Sequence, residues 1–136
     1  MQLFLDANII FAAAISPEGR AQALFALAKA GYGTLITSSF AAEEARRNVK
    51  RKYPYALNRL EQLLGQCRTV PEAPPSRVVW VTEWLPDAPI LAAATEAHCE
   101  LLVTGDRAHF GELYGRTFEE TEVVSLAEGL ARLLSS

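Results

Sequence analysis

Short apolar runs of strand length alternate with helical stretches along almost the whole of this 136-residue chain. The strand-like runs lie at 2–5, 34–37, 77–81, 100–104 and 122–125. Between them, apolar residues recur at helical spacing. This alternation is typical of a parallel sheet covered by helices. We therefore predict an α/β fold with three α/β/α layers and a central, mostly parallel sheet of about four to five strands.

Length and composition indicate an ordinary globular protein that forms a single domain over residues 1–136. Half of the residues are hydrophobic and 21% are charged, as in typical soluble domains. The Pro-rich segment at 71–76 is interpreted as a loop within this domain, because too few residues follow it for a second core.

The sequence favours a cytoplasmic protein without a membrane segment. No apolar run approaches the roughly 18 residues that a membrane-spanning helix needs. The apolar start has no Lys or Arg before it and is interrupted by Asp6 and Asn8, so we expect a strand there and not a signal peptide. Cys67 and Cys99 form no CxxC pair and have no partner at zinc spacing, which indicates reduced core thiols and disfavours zinc.

Two of the apolar strands end in an aspartate. The stretch "LFLDANII" at 3–10 contains Asp6 and Asn8, and "LLVTGDRAHF" at 101–110 contains Asp106. In open parallel sheets, ligands bind beyond the carboxyl ends of the strands. We therefore predict that Asp6 and Asp106 lie at a ligand site.

Two further acids, Glu44 and Asp87, fall on predicted helices whose topology brings them to the same end of the sheet. Each acid alone has a structural explanation, such as a helix cap at Asp87 or a turn at Asp106. Two carboxylates about 4 Å apart, however, repel each other by about 4 kcal/mol at an effective dielectric constant of about 20. A cluster of oxygen ligands selects a hard cation, so we expect Mg²⁺ or Mn²⁺, which suits phosphodiester hydrolysis.

One segment, "RRNVKRK" at 46–52, is strongly basic although the chain carries a net charge of −3. A net negative charge does not attract the anionic phosphates of nucleic acid. Any nucleic-acid binding must therefore depend on a local basic region. The candidate nucleic-acid-binding residues are Arg46, Arg47, Lys50, Arg51 and Lys52. The alternative is a solvated helix face with ion pairs such as Glu43 to Arg47.

The four stretches "FLDANII", "TSSFAAEEARRNV", "PDAPILAAA" and "LLVTGDRAHF", in this order, resemble the PIN-domain ribonucleases. That family includes the toxins of bacterial toxin–antitoxin pairs. The resemblance spans nearly the whole chain. It implies a parallel sheet between helices, metal-dependent cleavage of single-stranded RNA, an antitoxin protein as partner, and a homodimer.

Residue by residue, the resemblance implies an acidic quartet around Mg²⁺ or Mn²⁺ and two residues that orient a ligand or a metal-bound water. The quartet is Asp6, Glu44, Asp87 and Asp106, and the orienting residues are Asn8 and Thr104. Glu43 competes with Glu44 for the second position, and Glu44 is preferred because it directly precedes Ala45 in the motif. The chain lacks the additional acid that some relatives carry, which disfavours a tightly held second metal.

Two other functions are compatible with the sequence. A haloacid-dehalogenase-like phosphatase also has a strand ending in Asp, but its chemistry needs a second acid two residues later, where this chain has Asn8. The other alternative is a catalytically inactive domain that binds RNA or a protein partner. His109 could serve as a general base, but a packing role is favoured for it.

Overall fold

The computed structural model describes residues 1–74 and 88–135, with all of their side chains except those of Ala88 and His109. Strands and helices alternate along the described ranges, as the sequence predicts. In chain order the elements are β1 Gln2–Leu5, α1 Ala7–Ile15, α2 Arg20–Lys29, β2 Thr34–Ser38, α3 Ser39–Lys52, a 3-10 turn at Pro54–Ala56, α4 Leu57–Leu64, β3 Arg68–Val70, α5 Ala88–Glu96, β4 Leu101–Val103, α6 Arg107–Phe110, a 3-10 turn at Gly111–Leu113, β5 Thr117–Phe118, β6 Thr121–Val124 and α7 Leu126–Ser135.

The strands of the described residues form one sheet in the order β3-β2-β1-β4-β6-β5. All neighbouring strands run parallel except β5 and β6, which pair antiparallel. Strand β2 lies on one side of the central pair β1 and β4, next to β1. Strand β6 lies on the other side, next to β4. The strand order therefore reverses between β1 and β4, and in open α/β sheets such a reversal creates a crevice for ligands at the carboxyl ends of the strands.

Helices cover the sheet to give the three-layer α/β/α fold that the sequence predicts. Helix α1 packs on α2, α3 and α4, helix α5 packs on β2 and β4, and helix α7 packs on α2 and β4. The central strands are the most deeply buried: all of β4, and β1 from Leu3 to Leu5, lie in the core. Strands buried on both faces read as continuous apolar runs, which explains why these two were evident in the sequence.

The predicted number of four to five strands is wrong, because the described residues contain six. The two strands that were not anticipated are β3 and β5, which lie at opposite edges of the sheet. Strand β3 is polar and mostly exposed, and β5 has only two residues, so neither shows the apolar pattern of a buried strand. The strand predicted at 77–81 lies outside the described residues.

Helix α3 begins at a serine cap. The Ser38 hydroxyl accepts a hydrogen bond from the Ala41 N–H at 3.1 Å. In the described ranges, no helix combines the length and the apolar character that crossing a membrane requires.

Both cysteines are free thiols, as predicted. Cys99 is buried and Cys67 is half-buried. Burial raises the pKa of each thiol to about 12, so both stay protonated at neutral pH and are poor metal ligands.

Candidate active site

Asp6 follows β1 directly and is the N-cap of α1. Its Oδ1 accepts a hydrogen bond from the Ala7 N–H at 2.7 Å, and its own N–H donates to the Val103 carbonyl of β4 at 3.1 Å. The side chain is only 4% exposed. A carboxylate at a helix N-terminus is stabilised by the helix dipole, so the charged form can be held in this buried position.

Thr104, the residue after β4, joins the two aspartates that follow the central strands. The Thr104 hydroxyl donates to Asp6 Oδ2 at 2.8 Å. The same oxygen accepts the backbone N–H of Asp106 at 3.1 Å. Thr104 is fully buried, and its N–H donates to the Val124 carbonyl at 3.1 Å. One buried hydroxyl therefore sets the position of the Asp6 carboxylate relative to the half-buried Asp106.

Asn8 fastens the first turn of α1 to the loop after β4. Its amide oxygen accepts the N–H of Gly105 at 3.1 Å. Asp6 and Asn8 thus both bond to the segment 104–106, through a hydroxyl and a backbone amide respectively. The four strand-end residues Asp6, Asn8, Thr104 and Asp106, which the sequence singled out, are brought together here, and we call them the strand-end cluster.

Tyr114 belongs to the same region, although sequence reasoning did not find it. Its hydroxyl donates to the Thr104 carbonyl at 2.9 Å. Burial is the main reason that the Tyr114 pKa is raised; the charge of Arg107 opposes this shift, and the charges of Asp106 and Asp6 add to it. The phenol therefore remains protonated and acts as a donor. A tyrosine ten residues from its partner, outside any periodic pattern, gives no signal in the sequence.

The structure separates the two candidates for the second acid by their surroundings. Glu43 is 70% exposed, and its carboxylate lies 3.5 Å from the Arg46 guanidinium. Glu44 is half-buried beside the buried Ala45. Glu43 is thus turned toward a surface ion pair, whereas Glu44 lies closer to the packed side of α3.

Within the described residues, no three or more Asp, Glu, His or Cys side chains are arranged as a metal site. Asp6, Glu44 and Asp106 therefore do not form such a group by themselves. Asp87, the remaining member of the predicted quartet, lies outside the described residues.

The basic segment of α3 divides into two parts. Arg46 makes a two-point contact with Glu61 of α4, at 2.7 Å and 3.1 Å, and this hydrogen bonding raises the Arg46 pKa and lowers that of Glu61. Glu43 pairs with Arg46 at i+3, and not with Arg47 at i+4 as the alternative interpretation expected. The remaining basic residues are Arg47, Lys50, Arg51 and Lys52, all of which are exposed and form no ion pair with another described residue.

A family model described as PIN domain matches residues 2–108. This chain belongs to the PIN domain family. The matched range contains all four predicted acids, whereas Tyr114 lies beyond it. No curated protein matches this PIN domain.

Solved structures have the same fold at low sequence identity. PAE2754 from Pyrobaculum aerophilum superposes with a TM-score of 0.71 at 17% identity, over 100% of this chain and 97% of that one. VapBC2 from Rickettsia felis, bound to a DNA fragment from its promoter, gives 0.66 at 16% identity, over 92% and 98%. VapC20 of Mycobacterium tuberculosis, a sarcin-ricin loop cleaving toxin, gives 0.60 at 14% identity, over 86% and 97%. These likenesses establish the PIN fold.

Proposed function

We propose that this PIN-domain chain is a metal-dependent endoribonuclease that hydrolyses phosphodiester bonds of single-stranded RNA. The observation that carries the proposal is the strand-end cluster, in which Thr104 bonds Asp6 and Asp106 together at the crevice between β1 and β4. Membership of the PIN family supports a nuclease. In this proposal Asp6, Glu44, Asp87 and Asp106 are the acidic residues around Mg²⁺ or Mn²⁺.

The oxygen ligands of the cluster fit a hard divalent cation. Each oxygen of Asp6 accepts one hydrogen bond from within the chain, one from the Ala7 N–H and one from the Thr104 hydroxyl. Carboxylate oxygens have two lone-pair positions each and can ligate a cation while accepting a hydrogen bond. Hydrogen bonds of this kind favour the charged form of a carboxylate, and metal binding requires that form. Mg²⁺ and Mn²⁺ prefer such oxygen ligands.

In the proposed reaction the cation, when bound, lowers the pKa of a water and stabilises charge on the leaving oxygen. The contribution of the chain is to hold the ligands still. Thr104 keeps its proton directed at Asp6, and Asn8 fixes the loop that presents Asp106. The exposed cations of α3, Arg47, Lys50, Arg51 and Lys52, are proposed to contact the RNA backbone, and Arg46 is the weakest candidate because it is bonded to Glu61.

We further propose that the chain is the cytoplasmic toxin of a toxin–antitoxin pair, with an antitoxin protein as its partner, and that it forms a homodimer. Toxin–antitoxin complexes of the same fold support this assignment, including VapBC2 from Rickettsia felis and a complex from Klebsiella pneumoniae. A basic chain segment that neutralises part of the acidic cluster would be a fitting inhibitor, since it would remove the need for a cation.

The phosphatase alternative has less support. The position that would need a proton donor holds Asn8, whose amide oxygen already accepts the Gly105 N–H. An amide has no acidic proton to give to a leaving group, and the chain belongs to the PIN family. An inactive binding domain differs from the proposed nuclease only in turnover, so a cleavage assay separates the two.

The test is cleavage of labelled single-stranded RNA with Mn²⁺, with and without chelator, by the native chain and by Asp6→Asn. Asparagine is as good a helix cap as aspartate, so the variant should fold normally while losing the charge at the metal. We expect Mn²⁺-dependent cleavage by the native chain and none by Asp6→Asn at equal melting temperature. Equal cleavage by the two forms, or cleavage that survives the chelator, would reject the metal mechanism.

A further inference from the structure

Three aromatic rings and a lysine form a second distinctive surface, where the C-terminal end of α3 meets α1. The Phe11 and Tyr53 rings lie 5.9 Å apart, and Tyr53 and Tyr55 meet edge to face at 6.0 Å. The Lys52 ammonium lies 5.8 Å from the centre of the Phe11 ring. We call Phe11, Lys52, Tyr53 and Tyr55 the aromatic cluster.

Hydrogen bonds order the backbone that carries Tyr53 and Tyr55. The Tyr53 N–H donates to the Val49 carbonyl at 2.8 Å, and the Ala56 N–H donates to the Tyr53 carbonyl at 2.9 Å. Pro54 between them has a restricted φ angle and begins a 3-10 turn. Tyr55 is nevertheless 79% exposed, the highest value among the large hydrophobic side chains of the described residues. The backbone on both sides of Tyr55 is therefore ordered, and its ring faces water where a flat ligand can reach it.

The charge around the rings is positive. Lys50 and Arg51 precede the cluster on α3, and both are exposed. Like Lys52, they pair with no acidic group in the described parts of the chain. An aromatic surface bordered by unpaired cations is complementary to a single nucleic acid strand, whose phosphates are anionic and whose bases have exposed faces.

The cluster also lies near the strand-end cluster along α1. Phe11 follows Asn8 by three residues and therefore projects from a similar face of the helix, one turn further on. It follows the cap residue Asp6 by five residues, which is about 7.5 Å along the helix axis at 1.5 Å per residue. A strand bound at Asp6 that extends about one turn along α1 thus reaches the Phe11 ring, beside which Tyr53 and then Tyr55 lie.

We infer that the aromatic cluster is a base-stacking subsite, in which Tyr55 stacks on an unpaired base of the RNA that flanks the scissile phosphodiester. This inference rests on the proposed ribonuclease function and adds a reason for a preference for single strands. Stacking tolerates every base, because each base offers a flat π face, so the subsite contributes affinity and not sequence specificity. A paired base has both faces covered by its neighbours and does not fit.

Binding in the presence of a chelator tests the subsite without cleavage. The probes are a labelled ten-nucleotide oligouridylate and an abasic ribose-phosphate chain of the same length and charge. We expect Tyr55→Ala to weaken binding of the oligouridylate by roughly tenfold, as loss of one base–aromatic stack does, and to leave binding of the abasic chain unchanged. Tyr55→Phe, which keeps the ring, should bind the oligouridylate like the native chain.

Tyr32 provides the matched control, because it is 47% exposed and lies between α2 and β2. It therefore precedes a strand, whereas Asp6 follows one, so the two lie at opposite ends of these parallel strands. Tyr32→Ala should leave binding of both probes unchanged. The subsite is overturned if Tyr55→Ala binds the oligouridylate normally, or weakens both probes equally. It is also overturned if that variant dissociates an oligomer in sedimentation while RNA affinity is kept, which would make the cluster a protein contact.

The outcomes separate this inference from the proposed function. Mn²⁺-dependent cleavage that Asp6→Asn abolishes, together with unchanged binding by Tyr55→Ala, would retain the nuclease and reject the subsite. Base-dependent binding through Tyr55 without any cleavage would retain the subsite and reject the nuclease.

Discussion

The strand-end cluster and the exposed basic residues of α3 both carry charge, but they differ in burial and in bonding. Asp6 is 4% exposed and is bonded through both carboxylate oxygens, to a backbone amide and to a buried hydroxyl. Lys50 and Arg51 are exposed and make no ion pair within the described ranges. Buried charge must be positioned by the fold, because an unpaired charge there is costly. Exposed charge needs no such positioning and remains available to a ligand.

Because of this difference, we expect the two regions to respond to mutation on different scales. A change in the strand-end cluster alters a fixed geometry and should affect catalysis strongly. A change on α3 removes one of several screened charges and should affect binding in a graded, salt-dependent way.

The largest effect is expected from Asp106→Asn. It removes a proposed metal-ligating charge but keeps the backbone N–H that bonds to Thr104. We expect Mn²⁺-dependent RNA cleavage to fall by more than the roughly 10- to 100-fold that a residue behind a metal ligand contributes. Single-turnover rates of the native and variant chains measure this. A rate within a factor of a few of native would remove Asp106 from the proposed quartet.

Thr104→Val should have the next largest effect. The change keeps the side-chain shape but leaves Asp6 Oδ2 without its hydroxyl donor and the Asp106 N–H without its acceptor. We expect a 10- to 100-fold loss of cleavage and a loss of about 1–3 kcal/mol in the free energy of unfolding. Denaturant titration and cleavage rates measure the two. Thr104→Ser, which keeps the hydroxyl, is the matched control, and if it is as impaired as valine then the hydrogen bonds are not the cause.

Tyr114→Phe should have a smaller effect. It deletes only the hydroxyl that donates to the Thr104 carbonyl. We expect about 0.5–1.5 kcal/mol less stability, together with a less than tenfold rise in the Mn²⁺ concentration that gives half-maximal cleavage. The metal titration separates positioning from general destabilisation, since a purely structural role would lower the melting temperature without moving that concentration.

The smallest effect on cleavage is expected from Lys50→Ala combined with Arg51→Ala, measured by the salt dependence of RNA binding. Each phosphate contact contributes about 0.7 to the slope of log K against log salt for a single strand, so losing two contacts should make the slope shallower by about 1.4. Arg46→Ala is the control, because Arg46 is bonded to Glu61, and its slope should match that of the native chain. If the double variant has the same slope as the native chain, this face does not contact RNA and is only a solvated surface.

The same contrast explains what could be predicted from the sequence. Asp6 and Asp106 were evident because each ends an apolar strand that the chain buries, and burial imposes a pattern on neighbouring residues. The cap of α3 is likewise local, because the Ser38 hydroxyl bonds to the Ala41 N–H three residues ahead. These features depend on residues close together in the sequence.

Features that depend on contacts between residues far apart in the sequence were missed or were predicted only in part. The Tyr114 bond crosses ten residues without a periodic pattern, and the pairing of Arg46 with Glu61 joins two helices. The edge strands β3 and β5 are too short and too exposed to produce an apolar run. Choosing between Glu43 and Glu44 needed the direction of each side chain, which a one-residue shift on a helix leaves open.

The bond between Thr104 and Asp6 joins residues 98 positions apart, and β4 must enter the sheet between β1 and β6 before that bond can form. Residues 1–70 therefore contain Asp6 but lack the Thr104 hydroxyl that positions its carboxylate. The cluster is completed only when β4 pairs with β1, so the part of the chain up to β3 cannot assemble it alone.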